Sequence, residues 1–183
     1  MAKISPLAPK GFPEIPPIAG VSLASGSCGL RYQGRRDVLL AALDKGTQVA
    51  GVFTTSKTAA APVHWCAKAA KAGRARALIV NAGNANAFTG LAGEKSVQRT
   101  VAKVASVLDC PKSQVFVAST GVIGETLPDD RIRNALAGLK KALRPDDWPG
   151  AASAIMTTDT FAKGAWRRVK IGETEVTIGG IAK

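Results

Sequence analysis

An amphipathic helix flanked by two short apolar runs constrains the fold of this chain more than any other sequence feature. Within residues 94–108, apolar residues recur at spacings of four, three and four, which places them in one stripe along a helix. The runs at 77–80 and 115–118 are short and continuously apolar, as is typical of buried strands. This alternation of strands and helices predicts a mixed α/β unit. The residues of the stripe are Val97, Val101, Val104 and Leu108.

Two further helices are predicted from their first residues. Pro62 suits the first turn of a helix because its missing N–H is not needed there, and Gly73 suits the end of that helix. Another helix is predicted to begin within residues 126–129, where Thr126 and Asp129 resemble a capping box. The apolar face of this helix would comprise Ile132, Leu136, Leu139 and Leu143.

Two β-hairpins are also predicted. Residues 38–43 and 47–54 are strand-like, and a short turn that contains a glycine joins them. Residues 166–171 and 175–178 flank a second turn of this kind near the end of the sequence.

The domain organisation follows from length and proline distribution. The chain has 183 residues, which is typical of one domain, so we expect residues 1–183 to form a single α/β unit. Residues 1–20 contain five of the ten prolines and are predicted to be a Pro-rich, extended N-terminal arm. Because a Gly-Gly pair follows the last predicted strand, we expect the polypeptide to continue beyond Lys183.

Composition excludes several classes of protein. No run reaches the roughly 18–20 apolar residues of a membrane span, and prolines interrupt any signal-peptide core. The three cysteines lack a C-x-x-C spacing and there is one histidine, so neither a disulfide framework nor a metal site is expected. Residues 81–90 and 119–124 match neither a Walker loop nor a dinucleotide fingerprint, and no cofactor is expected. Three buried thiols in a cytoplasmic protein are the simplest interpretation. The net charge of +12 is compatible with nucleic acid, an anionic substrate or an acidic partner subunit.

Three polar segments are candidates for chemistry, and each also has a structural interpretation. Residues 81–90 would offer Asn side chains to a substrate, but the sequence favours a turn whose Asn residues satisfy their own backbone. Residues 119–124 would direct a hydroxyl and a glycine N–H at an oxyanion, or would form an ordinary Gly-rich turn. Residues 156–160 would bind an amino acid, although capping a helix or starting a strand is favoured.

Five short segments in a fixed order carry a resemblance to a known family. They are VFTT at 52–55, NAGNAN at 81–86, STGVIG at 119–124, IMTTDT at 155–160 and GGIAK at 179–183. Together they resemble the N-terminal (α) chain of the ornithine acetyltransferase family, also called glutamate N-acetyltransferase, of the arginine pathway. The resemblance extends over essentially the whole chain.

The resemblance implies a fold and a reaction. The fold would be the mixed, layered α/β architecture of self-processing ornithine acetyltransferases, completed by a separate β chain in an α2β2 heterotetramer. In that family a precursor cleaves itself at an Ala-Thr bond, and the new N-terminal Thr of the β chain is the nucleophile, with its own α-amine as general base. The acetyl group passes from N-acetylornithine to this Thr and then to glutamate. Some members also use acetyl-CoA as the donor.

The resemblance also assigns site residues. The Thr120 hydroxyl and the Gly121 N–H match the oxyanion donors of the family. Thr157 and Lys183 match substrate-binding positions, and the ammonium group of Lys183 suits a carboxylate of ornithine or glutamate. Neither nucleic acid nor a membrane is an expected partner of such an enzyme.

Two other functions remain as alternatives. An aminopeptidase or amidohydrolase of a related fold would also use an N-terminal nucleophile, but it would pass the acyl group to water instead of glutamate. A basic nucleic-acid-binding domain would explain the net charge of +12. Its binding to DNA or RNA would be tested by salt titration, because non-specific electrostatic binding is lost near physiological salt whereas specific binding persists.

Overall fold

The computed structural model of the chain describes residues 4–183, and a four-stranded sheet is the central element of this part. The helices and strands are β1 (Val21–Gly26), β2 (Val38–Leu43), α1 (Ala61–Ala69), β3 (Ala77–Asn84), α2 (Gly90–Leu108), β4 (Val115–Val122), α3 (Asp129–Lys141), α4 (Trp148–Ala154), β5 (Lys163–Ile171) and β6 (Thr174–Ala182). Strands β5 and β6 form a separate two-stranded sheet.

The strand order of the larger sheet is β1-β2-β3-β4. Strands β1, β2 and β3 pair antiparallel, whereas β3 and β4 pair parallel. A parallel pair requires a crossover connection, and α2 provides it between β3 and β4. The parallel pairing begins with Ala77 opposite Val115 and continues to Gly83 opposite Gly121.

The sheet separates two hydrophobic clusters. Residues of α1, α2 and α3 form one cluster with Leu40 of the sheet, which is fully buried. Residues of α4 form the other cluster with Leu39, and Trp166 and Ile181 of the β5–β6 hairpin pack against it. Because successive strand residues point to opposite faces, Leu39 and Leu40 belong to different clusters. The architecture is therefore the mixed, layered α/β fold that the sequence predicts.

Several predicted elements are confirmed. Helix α2 includes residues 94–108, and Val97, Val101 and Val104 of its apolar stripe are buried. Helix α1 has Pro62 in its first turn, and a short 3₁₀ turn after it ends at Gly73, which adopts a left-handed conformation. The hairpin near the end of the sequence is also present, and its strands are longer than predicted.

The hairpin predicted from residues 38–43 and 47–54 is wrong. Residues 38–43 form β2, but β2 is a central strand whose two edges pair with β1 and β3. No edge of β2 is left to pair with residues 47–54. This segment forms only an isolated β-bridge, in which Gln48 pairs with Arg74. Val52 in this segment is 99% exposed.

Two details of the predicted helices are also corrected. The capping box of Thr126 and Asp129 does not form, because the buried carboxylate of Asp129 is paired with Arg99 and Arg133 instead. Helix α4 was not predicted. It is only seven residues long and three of these are alanine, so it has no apolar periodicity to reveal it.

The three cysteines differ in burial. Only Cys66 is buried, whereas Cys28 and Cys110 are half-buried, which corrects the expectation of three buried thiols.

Residues 4–20 contain no helix or strand, but Ile15 packs into the cluster under α4. Residues 1–3 of the predicted arm lie outside the described part of the chain. Among the helices of residues 4–183, none is long and apolar enough to cross a membrane.

Candidate active site

Two polar segments meet at the same end of the sheet. The sequence predicts that residues 81–84 and 119–122 are loops, but they are the last residues of β3 and β4. Because these two strands are parallel, their polar ends lie side by side. The carboxyl ends of parallel strands are a common location for ligand sites in α/β proteins.

The backbones of Gly83 and Gly121 approach each other closely at this end. Gly121 has a φ of 135°, and a Cβ on this residue would lie 2.3 Å from the carbonyl carbon of Gly83. Only glycine fits such a position without displacing the backbone. Thr120, the neighbour of Gly121, is half-buried and lies opposite Ala82.

The asparagines of β3 and the following turn satisfy local backbone groups. The Asn81 side chain donates to the Asn84 carbonyl at 2.9 Å and accepts from Ser119 Oγ at 2.7 Å. The Asn84 side chain accepts from the Asn86 N–H, and Asn86 Nδ2 donates to the Gly93 carbonyl. All three asparagines are buried. This geometry fits the structural interpretation of the segment, in which the side chains hold the connection from β3 to α2.

A second polar group forms between the end of α4 and the end of β6. The Lys183 ammonium lies 2.7 Å from Thr157 Oγ1 and 2.5 Å from Asp159 Oδ2. Lys163 contacts the other oxygen of Asp159 at 2.9 Å, and the Thr157 N–H donates to Asp159 Oδ2. The structure therefore brings Thr157 and Lys183 into direct contact.

Asp159 is the centre of this group. Burial opposes its ionisation, but the hydrogen bonds from Lys183, Lys163 and the Thr157 N–H outweigh burial and hold its pKa well below the ordinary value. Its side chain is 11% exposed and that of Lys183 is 29% exposed. The carboxylate and the two ammonium groups leave the cluster with one net positive charge, which favours an anionic ligand.

No hydrogen bond within residues 4–183 joins Thr120 or Gly121 directly to Thr157 or Lys183. The segment 31–35 contacts both groups instead. Arg35 donates to the carbonyls of Met156 and Thr157, and Tyr32 lies beside Gly83. Sequence reasoning missed Arg35 and Tyr32.

Asp37 anchors the start of this segment. It is fully buried and accepts hydrogen bonds from the backbone N–H groups of Cys28 and Leu30. Burial, together with the nearby Asp37 carboxylate, raises the pKa of Cys28 to about 12, so this thiol is not available as a nucleophile near neutral pH. In the described part of the chain, no group of three or more His, Cys, Asp or Glu residues is arranged to hold a metal ion.

An apolar groove of about 360 Å³ opens beside the sheet, next to Ser119. Its walls come from segment 49–53, from α1, from Leu78 near the start of β3 and from residues 116–119 of β4. Phe53, which is 38% exposed, lines this groove, and Val52 beside it faces away from the protein. The groove therefore adds an apolar surface close to the polar end of β4.

Comparisons with known proteins give a consistent result. The model of the ArgJ family matches residues 22–183. The chain is 53% identical over 182 residues to the arginine biosynthesis bifunctional protein ArgJ of Bradyrhizobium diazoefficiens and 54% identical over 187 residues to that of Ruegeria pomeroyi. These matches cover 100% of this chain but only 44% and 45% of the relatives, so the chain spans less than half of their length.

Two solved structures are similar in fold. One is the arginine biosynthesis bifunctional protein ArgJ of Bacillus halodurans, with a TM-score of 0.82 and 32% identity, covering 90% of this chain and 86% of that chain. The other is the ornithine acetyltransferase of Mycobacterium tuberculosis in complex with ornithine, with a TM-score of 0.80 and 34% identity. In that case 91% of this chain and 88% of the other are covered.

Proposed function

The chain belongs to the ArgJ family, and on this premise we propose that it is the α chain of a self-processing acetyltransferase of arginine biosynthesis. The reaction would move an acetyl group from N-acetylornithine to glutamate. The observation that carries the proposal is similarity over nearly the whole chain to an acetyltransferase whose structure contains ornithine. The family match gives no support to the alternatives of an aminopeptidase or a nucleic-acid-binding domain.

The proposed partner is a β chain from the same precursor. The chain covers 44% of a curated relative but 86% and 88% of two solved chains, which supports a family polypeptide that is divided into shorter chains. Strand β4 is an edge of its sheet within residues 4–183, and the apolar groove lies beside it. An edge strand and an adjoining apolar groove are surfaces that another chain would cover. The family resemblance extends this proposal to an α2β2 assembly.

The proposed chemistry is transfer through an acetyl-threonine. The hydroxyl oxygen of the N-terminal Thr of the β chain forms a bond to the acetyl carbon, while its proton passes to the α-amine of the same Thr. The C–N bond of N-acetylornithine then breaks, the nitrogen takes the proton, and ornithine leaves. The α-amine of glutamate attacks the ester in the same way and releases the Thr.

We assign stabilisation of the two tetrahedral intermediates to Thr120 and Gly121. The negative oxygen of each intermediate would accept hydrogen bonds from the Thr120 hydroxyl and the Gly121 N–H. The assignment is supported by the close packing at this end of β4, where the Gly121 backbone lies against that of Gly83. Donors that are fixed in advance need no reorganisation during the reaction.

We assign binding of the substrate carboxylate to Lys183 and Thr157. An ammonium group has three N–H donors, and two of those on Lys183 are used by Thr157 and Asp159. The third donor is left for a carboxylate of N-acetylornithine or glutamate. The net positive charge of the cluster with Asp159 and Lys163 supports this assignment.

The proposal is tested by trapping the intermediate. The chain is produced together with its β chain, incubated with N-acetylornithine in the absence of glutamate, and analysed by intact mass. We expect one acetyl adduct on the β chain, which disappears when glutamate is added. A parallel incubation with acetyl-CoA identifies a second donor. An unmodified β chain, or release of acetate without acetylglutamate, would overturn the transferase proposal.

A further inference from the structure

The side chain of Arg35 connects the two groups of site residues. Its Nη2 lies 2.6 Å from the Met156 carbonyl and its Nη1 lies 3.3 Å from the Thr157 carbonyl. The guanidinium also stacks on the ring of Tyr32, with 4.4 Å between its central carbon and the ring centroid. Two donors and one face of the guanidinium are thus engaged within the protein, so Arg35 is held in place and is not a free ligand for a substrate.

Tyr32 continues this connection to the end of the sheet. A Cβ on Gly83 would lie 3.0 Å from Arg31 Cβ and 3.7 Å from a ring carbon of Tyr32, so the segment 31–32 packs directly on Gly83. Gly83 in turn lies against the backbone of Gly121. A continuous series of contacts therefore runs from Thr157 to Gly121.

We propose that Arg35, stacked on Tyr32, is a positioning residue that fixes the Thr157–Lys183 pair relative to Thr120 and Gly121. The proposal rests on the function proposed above. Lys183 binds Thr157 and Asp159, and the carbonyl that Arg35 holds belongs to Thr157 itself. The distance between the carboxylate anchor and the oxyanion donors determines whether a bound substrate presents its acetyl group correctly. Arg35 controls this distance without touching the substrate.

The chain offers a matched control for this residue. Arg36 is the next residue and is exposed, and its side chain makes no hydrogen bond or ion pair within residues 4–183. Replacing either arginine by methionine removes one charge and keeps an unbranched stem. Only Arg35→Met removes the two bonds to the carbonyls after α4.

Hydrogen exchange tests the positioning role without relying on activity. The processed complex is compared as wild type, Arg35→Met and Arg36→Met by exchange and mass spectrometry. We expect at least about tenfold faster exchange in Arg35→Met for the peptide that covers residues 156–163, with unchanged exchange in β3 and β4. Arg36→Met should match the wild type. Equal exchange of this peptide in all three proteins would overturn the proposal.

Kinetics then test whether the position matters for the substrates. We expect Arg35→Met to raise KM for N-acetylornithine and glutamate about tenfold, with a smaller change in kcat. Arg35→Lys should be only partly active, because a lysine cannot bond two carbonyls as a planar fork. In a Lys183→Met background, Arg35→Met should cause little further loss, because both changes act on the same anchor.

The outcomes separate this inference from the proposed function. Faster exchange with a normal KM, or fully additive losses in the double variant, would overturn the role of Arg35 in the site. If the wild-type complex transfers no acetyl group, the proposed function fails, and the exchange experiment still decides whether Arg35 holds residues 156–163.

Discussion

Gly83 and Gly121 lie opposite each other on the parallel strands β3 and β4, and both have positive φ angles, 107° and 135° respectively. Each position thus excludes a side chain for two reasons. Left-handed backbone is unfavourable for other residues, and an added Cβ would be crowded at both positions. A Cβ on Gly121 would lie 2.3 Å from the carbonyl carbon of Gly83, and a Cβ on Gly83 would lie 3.0 Å from Arg31 Cβ. The contact between the two glycines fixes the end of β4, which carries the candidate oxyanion donors, against the end of β3.

We expect Gly121→Ala to destabilise the protein by at least about 3 kcal/mol, because neither backbone can move away from the new methyl group without breaking the strand pair. Gly124→Ala is the matched control. Gly124 also has a positive φ, 85°, but no atom lies within 4 Å of a Cβ there, so only the backbone strain of about 1–2 kcal/mol remains. Urea unfolding of the purified complex measures both, and equal losses would contradict the importance of the Gly83 contact.

The sequence predicts individual helices and strands better than it predicts which strands pair in the sheet. Helix α2 is predictable because its stripe has the helical period, and α1 because Pro62 and Gly73 mark its ends. The pairing of β2 is not predictable in this way. Leu40 pairs with Ala24 on one side and Ile79 on the other, and neither contact leaves a signal in nearby sequence.

The polar ends of β3 and β4 show the same limit. Asparagine, serine and glycine disfavour strands, so the sequence indicates that both strands end early. Parallel pairing carries the strands further, to Asn84 and Val122, because tertiary contacts override local preference. Nothing in the sequence distinguishes Arg35 as a site residue, because it is one of 25 basic residues and its partners are backbone carbonyl groups far along the chain. Thr120 and Lys183 are identified as candidate site residues from the family resemblance and not from their spacing in the sequence. Their roles remain predictions.

If Thr120 is an oxyanion donor, Thr120→Ala should lower kcat about 100- to 1,000-fold and change KM little, because its hydroxyl bonds to charge that develops only in the transition state. Thr126→Ala is the control, since Thr126 is exposed and lies just beyond β4. The assay must use fully processed complex, because self-cleavage passes through a similar oxyanion. A normal kcat for Thr120→Ala would remove Thr120 from the site.

Lys183→Met should mainly weaken substrate binding. The carboxylate is present in both the ground state and the transition state, so loss of the ammonium removes uniform binding. A charge-assisted contact is worth roughly 1.5–3 kcal/mol, which corresponds to an increase in KM of about ten- to a hundredfold for both amino-acid substrates. Lys170→Met, an exposed change on β5, should leave KM unaltered. Steady-state kinetics that show the same KM for Lys183→Met and the wild type would exclude this role.

The ion pairs of Asp129 predict a specific dependence of stability on pH. Burial opposes the ionisation of Asp129, but hydrogen bonds from Arg99 and Arg133 outweigh burial and hold its pKa below the ordinary value of 3.8. The carboxylate is thus more acidic in the folded state. Its contribution to the free energy of unfolding is complete above pH 3.8 and is lost as the pH falls through the folded-state pKa.

Asp129→Asn should therefore cost about 1.5–3 kcal/mol at pH 7, nearer the lower value because Arg99 and Arg133 are partly exposed and can be rehydrated. The difference from the wild type should shrink as the pH falls below 3.8. Asp130→Asn, in the same first turn of α3 but exposed, is the control. Thermal unfolding of both variants across this pH range checks the prediction, and a difference for Asp129→Asn that does not vary with pH would contradict it.

Thr100 offers a test of the core between α2 and the sheet. Its hydroxyl is buried and has no hydrogen-bond partner within the described residues, and the residue as a whole is 5% exposed. A buried hydroxyl without a partner costs free energy, and valine has the same shape without that group. We expect Thr100→Val to stabilise the protein by about 1 kcal/mol, whereas Thr100→Ser, which keeps the hydroxyl and deletes the methyl group, should destabilise it by a similar amount. Urea unfolding of the complex compares the two, and a less stable Thr100→Val would mean that the hydroxyl has a partner in solution that compensates its burial.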